Sequence, residues 1–223
     1  MPIPQAKTES YPKTAKDRVF SVMREWIING TLKPGEKIFD KEIADYFSVS
    51  RTPVREAFQM LEEQKLITVS PGRESRVSEI DPDSIRQSYE LLAVLEAMAV
   101  KFAMNHMTDE CILLLKDCVE KLKASIAAGD AKAANAADHL FHETILRFSS
   151  NDFLMQFCKI LETHVARIEI HFFSAHEMPD LLSASVTEHE KIIEAIQRHD
   201  IEAASCTMSE NWLNTIPYIE KFL

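Results

Sequence analysis

A chain of 223 residues with 46% hydrophobic content can fill a small domain joined to a medium one, and four glycines beside many Ala, Leu, Ile, Glu and Lys favour helix. No apolar run approaches the ~20 residues of a membrane span, since "LLAVLEAMAV" is broken by Glu96. The formal charge of −10 is uneven: residues 1–78 carry 13 Lys+Arg against 11 Asp+Glu, while residues 79–223 carry 12 against 24, which confines any nucleic-acid surface to the N-terminal part.

The opening "MPIPQAKTESYPKT" lacks the apolar core of a secretory signal, so residues 1–12 are expected to be a disordered tail of a cytoplasmic protein. From Lys13 to about Asn29, Val19, Phe20, Val22, Met23, Trp26 and Ile27 recur at helical spacing. "NGTLKPGEKI" breaks that helix through Gly30, Pro34 and Gly35. A short helix "DKEIADYF" follows, with Asp40 as its expected N-cap. "SVS" makes a tight turn, and Thr52 before Pro53 signals a second helix to about Gln64. The β-prone runs of "LITVSPGRESRVSEI" flank a Pro-Gly turn and predict a hairpin. Helix, helix–turn–helix and hairpin together predict a winged helix-turn-helix domain over residues 13–78.

Asp81 before Pro82 opens a region that is helical throughout. Helices are expected at about 82–105, 109–128, 130–149, 151–174, 179–199 and 200–219, separated by "NHMTDE" with Thr108 as N-cap, "AAGDA" with Gly129, "SSND", "HEMPD" and "RHD". The fold class is therefore mainly α, with residues 79–223 forming an antiparallel all-α bundle of about six helices. Cys111, Cys118, Cys158 and Cys206 form no CxxC pair and read as small hydrophobes in a reducing compartment. The seven-residue spacing of Cys111 and Cys118 leaves a redox pair as the alternative.

The second helix of a helix-turn-helix enters the major groove N-terminus first, so its first turn meets bases and phosphates. Arg51, Thr52 and Arg55 are the residue types that contact requires, and the helix N-terminus adds partial positive charge. Val54, Ala57, Phe58, Leu61 and Leu66 make the buried side. A salt-bridged surface helix with Glu56, Glu62 and Glu63 is the competing reading, but the arginines precede those acids and cluster at the helix entry.

The segment "LKPGEKI…KEIADYFSVSRTPVREAFQMLEEQKLI" closely resembles the winged-helix domain of GntR-family transcription regulators. That resemblance implies that Arg51 and Arg55 contact bases and phosphates, with Thr52 beside them. It implies further that Lys41 touches DNA and that Gly72, in "PGRESR", is the wing glycine that enters the minor groove.

In the helical region, Asp138 and His142 lie one turn apart and leave one face, shared with the apolar Phe141 and Ile145. His189, on a helix whose inward side carries Ile192, Ile193 and Ile196, could supply a third ligand. One carboxylate and two imidazoles suit Zn²⁺, Ni²⁺ or another divalent transition ion. A buried hydrogen-bonded Asp138–His142 pair and a metal-free effector pocket remain as alternatives. "DHLFHETILRFSSNDFL" and "EHEKIIEAIQRHDIEAASCTM" resemble the FCD-type helical domain of the FadR-like branch. That resemblance implies a fourth ligand three residues after Met208, where this chain has Asn211, and an effector-gripping arginine where it has Leu92. Arg167 is the expected substitute donor, with Asn211 beside it, for a small-molecule effector.

The expected protein is thus a homodimeric, effector-controlled transcription regulator, with repression the expected sign, and not an enzyme. Its expected partners are operator DNA and a small metabolite, without a membrane. A constitutive DNA-binding dimer is one alternative. A metal-dependent hydrolase at Asp138, His142 and His189 is the other, though no Glu or Asp stands at motif spacing to act as its base.

Overall fold

The computed structural model describes residues 14–69, 74–173 and 179–221. The expected tail, the wing glycine Gly72 and His176 lie outside the described residues. The chain divides into two compact units, the first ending at Asp81 and the second beginning at Pro82.

In the first unit, Thr14 caps helix α1 (Ala15–Ile28) by accepting from the Asp17 amide at 3.1 Å. Strand β1 (Lys37–Ile38) and helix α2 (Asp40–Phe47) follow. Helix α3 (Arg51–Glu63) then leads into strands β2 (Ile67–Thr68) and β3 (Ser75–Val77). Val19, Met23 and Trp26 of α1 pack with Ile43 of α2 and with Val54 and Leu61 of α3 in one core. Each buried aliphatic or aromatic side chain contributes about 1.5–3 kcal/mol, which fixes the three helices against one another. The strands form an antiparallel sheet in the order β1-β3-β2. Gly35, at φ +74°, turns the chain into β1 and donates its amide to the Val77 carbonyl at 3.0 Å. A β-carbon there would collide with the Glu79 carboxylate.

Two local expectations are corrected. Helix α3 starts at Arg51, with Ser50 at the N-cap, instead of at Thr52. Pro53 therefore stands at the third helical position, which is equally free of cost because the first-turn amides have no intrahelical partner. Asp40 is not the N-cap of α2 but its first residue; Phe39 holds the cap position without a side-chain bond. The Asp40 carboxylate is engaged elsewhere.

The second unit contains, among the described residues, six helices: α4 (Pro82–Ala103), α5 (Asp109–Ala127), α6 (Ala131–Phe148), α7 (Asp152–Phe173), α8 (Pro179–Gln197) and α9 (Ile201–Ile219), with a short 3₁₀ turn at Met104–His106. Thr108, Asp130 and Asp200 each accept from the amide three residues on, at 3.3, 2.9 and 3.0 Å. Gly129, Ser150 and His199 close the preceding helices in the left-handed region. Helix α4 is central and packs against α6, α7 and α9, while α5 packs against α6 and α8. The centre of this bundle is not wholly apolar: Glu96, His142, His189, Arg167 and Asn211 are all buried in it. Polar groups so placed must be paired or must hold something.

Candidate functional site

In the first unit, Arg51, Thr52 and Arg55 lie on the exposed face of α3, opposite the buried Val54, Ala57, Phe58 and Leu61. Lys41, at the second position of α2, is also exposed. Arg51 Nη2 donates to Asp40 Oδ1 at 2.6 Å and Oδ2 at 2.8 Å, and Arg55 Nε donates to Asp40 Oδ2 at 2.8 Å. Partial burial opposes ionisation of Asp40, but the two guanidinium groups outweigh it and hold the carboxyl below its usual range. Charge-assisted bonds of this length fix geometry even at a surface.

In the second unit, four helices converge on one point. Helix α6 supplies Asp138 and His142, α8 supplies His189, α4 supplies Glu96 and α9 supplies Asn211. His142 Nε2 lies 3.3 Å from His189 Nε2 and 3.8 Å from Asp138 Oδ2, and His189 Nε2 lies 3.7 Å from Asp138 Oδ1. One donor atom from each of Asp138, His142 and His189 falls within 4.8 Å of the others.

His142 Nδ1 stands 2.6 Å from Glu96 Oε2, deep in the bundle. The Glu96 carboxylate accepts from Nδ1–H there, so Nε2 is the ring nitrogen that faces the cluster and would exchange its proton for a metal. Burial opposes charge on His142, yet the Glu96 carboxylate outweighs it and lifts the imidazole to about 9. Burial, with His142 beside it, pushes His189 down to about 3, so its ring is neutral. Phe141 stacks on it at 3.9 Å and sets its plane. Asp138 is further fixed by the Ser185 hydroxyl, which donates to Oδ1 at 2.7 Å.

The donor set fits a divalent ion. Ligands about 2.0–2.2 Å from a tetrahedral metal lie roughly 3.3–3.6 Å apart, close to the spacings above. Asn211 Nδ2 donates to Glu188 Oε2 at 2.7 Å, while Asn214 Nδ2 takes Glu188 Oε1 at 2.7 Å. The Asn211 amide nitrogen is thereby committed, and its carbonyl oxygen is the atom available to a cation.

A small cleft, partly open to solvent, adjoins the cluster and is lined by Tyr89, Asn135, Asp138, His142, Glu169, Ser185, Asn211, Trp212 and Thr215 among others. Arg167 is buried on α7 and is not among the residues that line this cleft. His139 instead pairs with Glu169 at 2.7 Å. The hydrogen-bond partner of His142 is Glu96, at 2.6 Å, and not Asp138, at 3.8 Å. The sequence carries a signal for this: Glu96 falls in phase with the buried Leu92, Ala99 and Ala103, where a charge needs a partner. Glu188 carried no comparable signal, because its two asparagine partners lie on another helix.

Comparison with known proteins agrees with both halves. The description "Bacterial regulatory proteins, gntR family" matches residues 15–77, and "FCD domain" matches residues 87–213. The chain belongs to the GntR family, in its FCD-domain form. This GntR-family protein is a transcription regulator and not an enzyme, which removes the hydrolase alternative. It is 27% identical to HTH-type transcriptional regulator YdhC of Bacillus subtilis (strain 168), over 83% of this chain and 82% of the relative. It is 24% identical to HTH-type transcriptional repressor RspR of Escherichia coli (strain K12), over 87% and 84%. The fold is that of E. coli McbR/YncC, with a TM-score of 0.78 at 22% identity, covering 95% of the regulator and 99% of that chain.

Proposed function

We propose that this regulator is a cytoplasmic repressor that binds operator DNA as a homodimer and releases it in response to a small metabolite. Arg51 and Arg55 contact bases and phosphates, Thr52 and Lys41 contact phosphates, and the wing at Gly72, outside the described residues, completes the grip. In the bundle, Asp138, His142 and His189 hold a divalent transition ion, Zn²⁺ or Ni²⁺, with the Asn211 carbonyl oxygen in the fourth position. The bound ion would supply the positive charge that orients an effector's oxygen atoms in the adjoining cleft.

The observation that carries the sensing reading is the convergence of three donor atoms beside that cleft, with Glu96 on the Nδ1 side of His142 so that Nε2 is turned toward the other donors. Among the described residues the cleft lining includes Asp138 and Glu169 but no lysine or arginine, so a bound ion would add to the attraction of an anionic effector. Useful control requires the effector to favour one DNA-affinity state by roughly 1–3 kcal/mol. The deciding experiment measures affinity for duplexes from the protein's own locus, with and without metal and candidate metabolites. Tight binding that one metabolite weakens by about 5–150-fold is expected. Affinity unmoved by every metabolite would leave a constitutive DNA-binding protein.

Homodimerisation is supported by the outer face of α4, where Leu91, Val94, Met98 and Phe102 recur at helical spacing and are 52%, 61%, 45% and 40% exposed. An apolar ridge of this length is costly in water unless a partner covers it. Two-fold pairing also matches two half-sites on DNA. Val94→Glu should therefore give a monomer in sedimentation equilibrium and lower operator affinity roughly 10²-fold through lost avidity. An unchanged dimer would place the contact elsewhere.

A further inference from the structure

We infer that Asp40 is a positioning residue for DNA reading, its one carboxylate bridging Arg51 and Arg55 so that the remaining donors of both guanidinium groups are presented ready for the duplex. The inference rests on the proposed role of those two arginines as DNA contacts.

The atoms used decide what is left over. Arg55 is held through Nε alone, at 2.8 Å, which leaves the end-on pair Nη1 and Nη2 for a partner. That pair matches the two acceptors on a guanine edge or on a phosphate. Arg51 is held through Nη2, which leaves Nε and Nη1. Both arginine side chains stay about half exposed or more, at 54% and 63%, whereas Asp40 is 20% exposed and sits behind them. Two cations share one anion, so the cluster keeps a net positive charge toward DNA. Long side chains that would otherwise sample many rotamers are ordered before DNA arrives, and their ordering is not charged against binding.

The alternative role for this carboxylate, capping α2, is excluded by its place at the first helical position, where the cap is Phe39 without a side-chain bond. A second alternative is that Asp40 only competes with DNA for the arginines. The two roles predict opposite signs. A competitor, once removed, raises affinity for every duplex. A positioner, once removed, lowers affinity for the correct site while non-specific affinity holds or rises, because a negative charge near phosphate is gone.

The test uses the full-length protein and its Asp40→Asn and Asp40→Glu variants. Affinity is measured for a duplex selected from a random pool by the wild type and for a scrambled duplex of equal length. Asp40→Asn is expected to lower the specific-to-non-specific ratio by about tenfold or more, the scale of losing one base contact. Asp40→Glu, which restores the carboxylate, is expected to recover much of that ratio and guards against a folding artefact in the amide variant. A parallel rise for both duplexes, or an unchanged ratio, would overturn the inference. Arg51→Ala and Arg55→Ala are measured on the same duplexes. If they too leave both affinities unchanged, the contact reading itself has failed; if they lose affinity while Asp40→Asn keeps the ratio, only the positioning role has.

Discussion

His142→Ala is expected to abolish stoichiometric metal binding, while the unaltered chain retains one divalent ion through dialysis. The three donors come from α6 and α8, and His142 is the one that lies within 3.8 Å of both of the others. Asp138→Asn, at a less buried position, is the companion variant, since it keeps shape and removes the anionic ligand. Elemental analysis and competition with a chromophoric chelator read both variants directly. Glu96→Gln should be intermediate: the ligands survive, but a neutral amide replaces the carboxylate beside His142 Nδ1, and affinity falls about 10–100-fold. The ion should also stabilise the fold by about 2.7 kcal/mol at a free concentration of 100 times its Kd, seen as a higher calorimetric midpoint. Equal, sub-stoichiometric metal in wild type and His142→Ala would refute the site and leave a hydrogen-bonded polar cluster in its place.

Arg51→Ala is expected to cost about 1–3 kcal/mol of operator affinity and to relax selectivity at one base position. The residue stands at the first position of α3, exposed, with its guanidinium already held by Asp40. Lys41→Ala should act differently. A phosphate contact weakens all sequences alike and reduces the slope of log K against log salt by roughly 0.9. Titrations of both variants against matched and mismatched duplexes at several salt concentrations separate the two kinds of contact. An Arg51→Ala protein with wild-type affinity and selectivity would remove this residue from the interface.

Most of the secondary structure was legible in the sequence because its signals are local. Thr108, Asp130 and Asp200 cap helices within a turn of themselves, and Gly129 ends one by adopting a conformation that side chains disfavour. The differences from expectation are local as well. A proline is tolerated anywhere in the first turn, so Pro53 marked the neighbourhood of the α3 start and not the residue. Strand β1 spans two residues and is too short to carry an alternating pattern; only its pairing with β3 reveals it.

The sites divide in the same way. By itself, the sequence determined that basic residues and a hydroxyl open the recognition helix, and that Asp138 and His142 leave one helical face, because spacing along a helix dictates direction. Only the tertiary structure decided that Glu96 grips His142 from another helix, that Glu188 commits the Asn211 amide, that Arg167 is not among the residues lining the cleft, and that Asp40 turns from a helix end to two arginines. Those partners lie from 11 to 46 residues apart in the chain. What brings such groups within 3 Å is the packing of whole helices, driven by apolar burial elsewhere, and that force leaves no mark at the polar residues it unites.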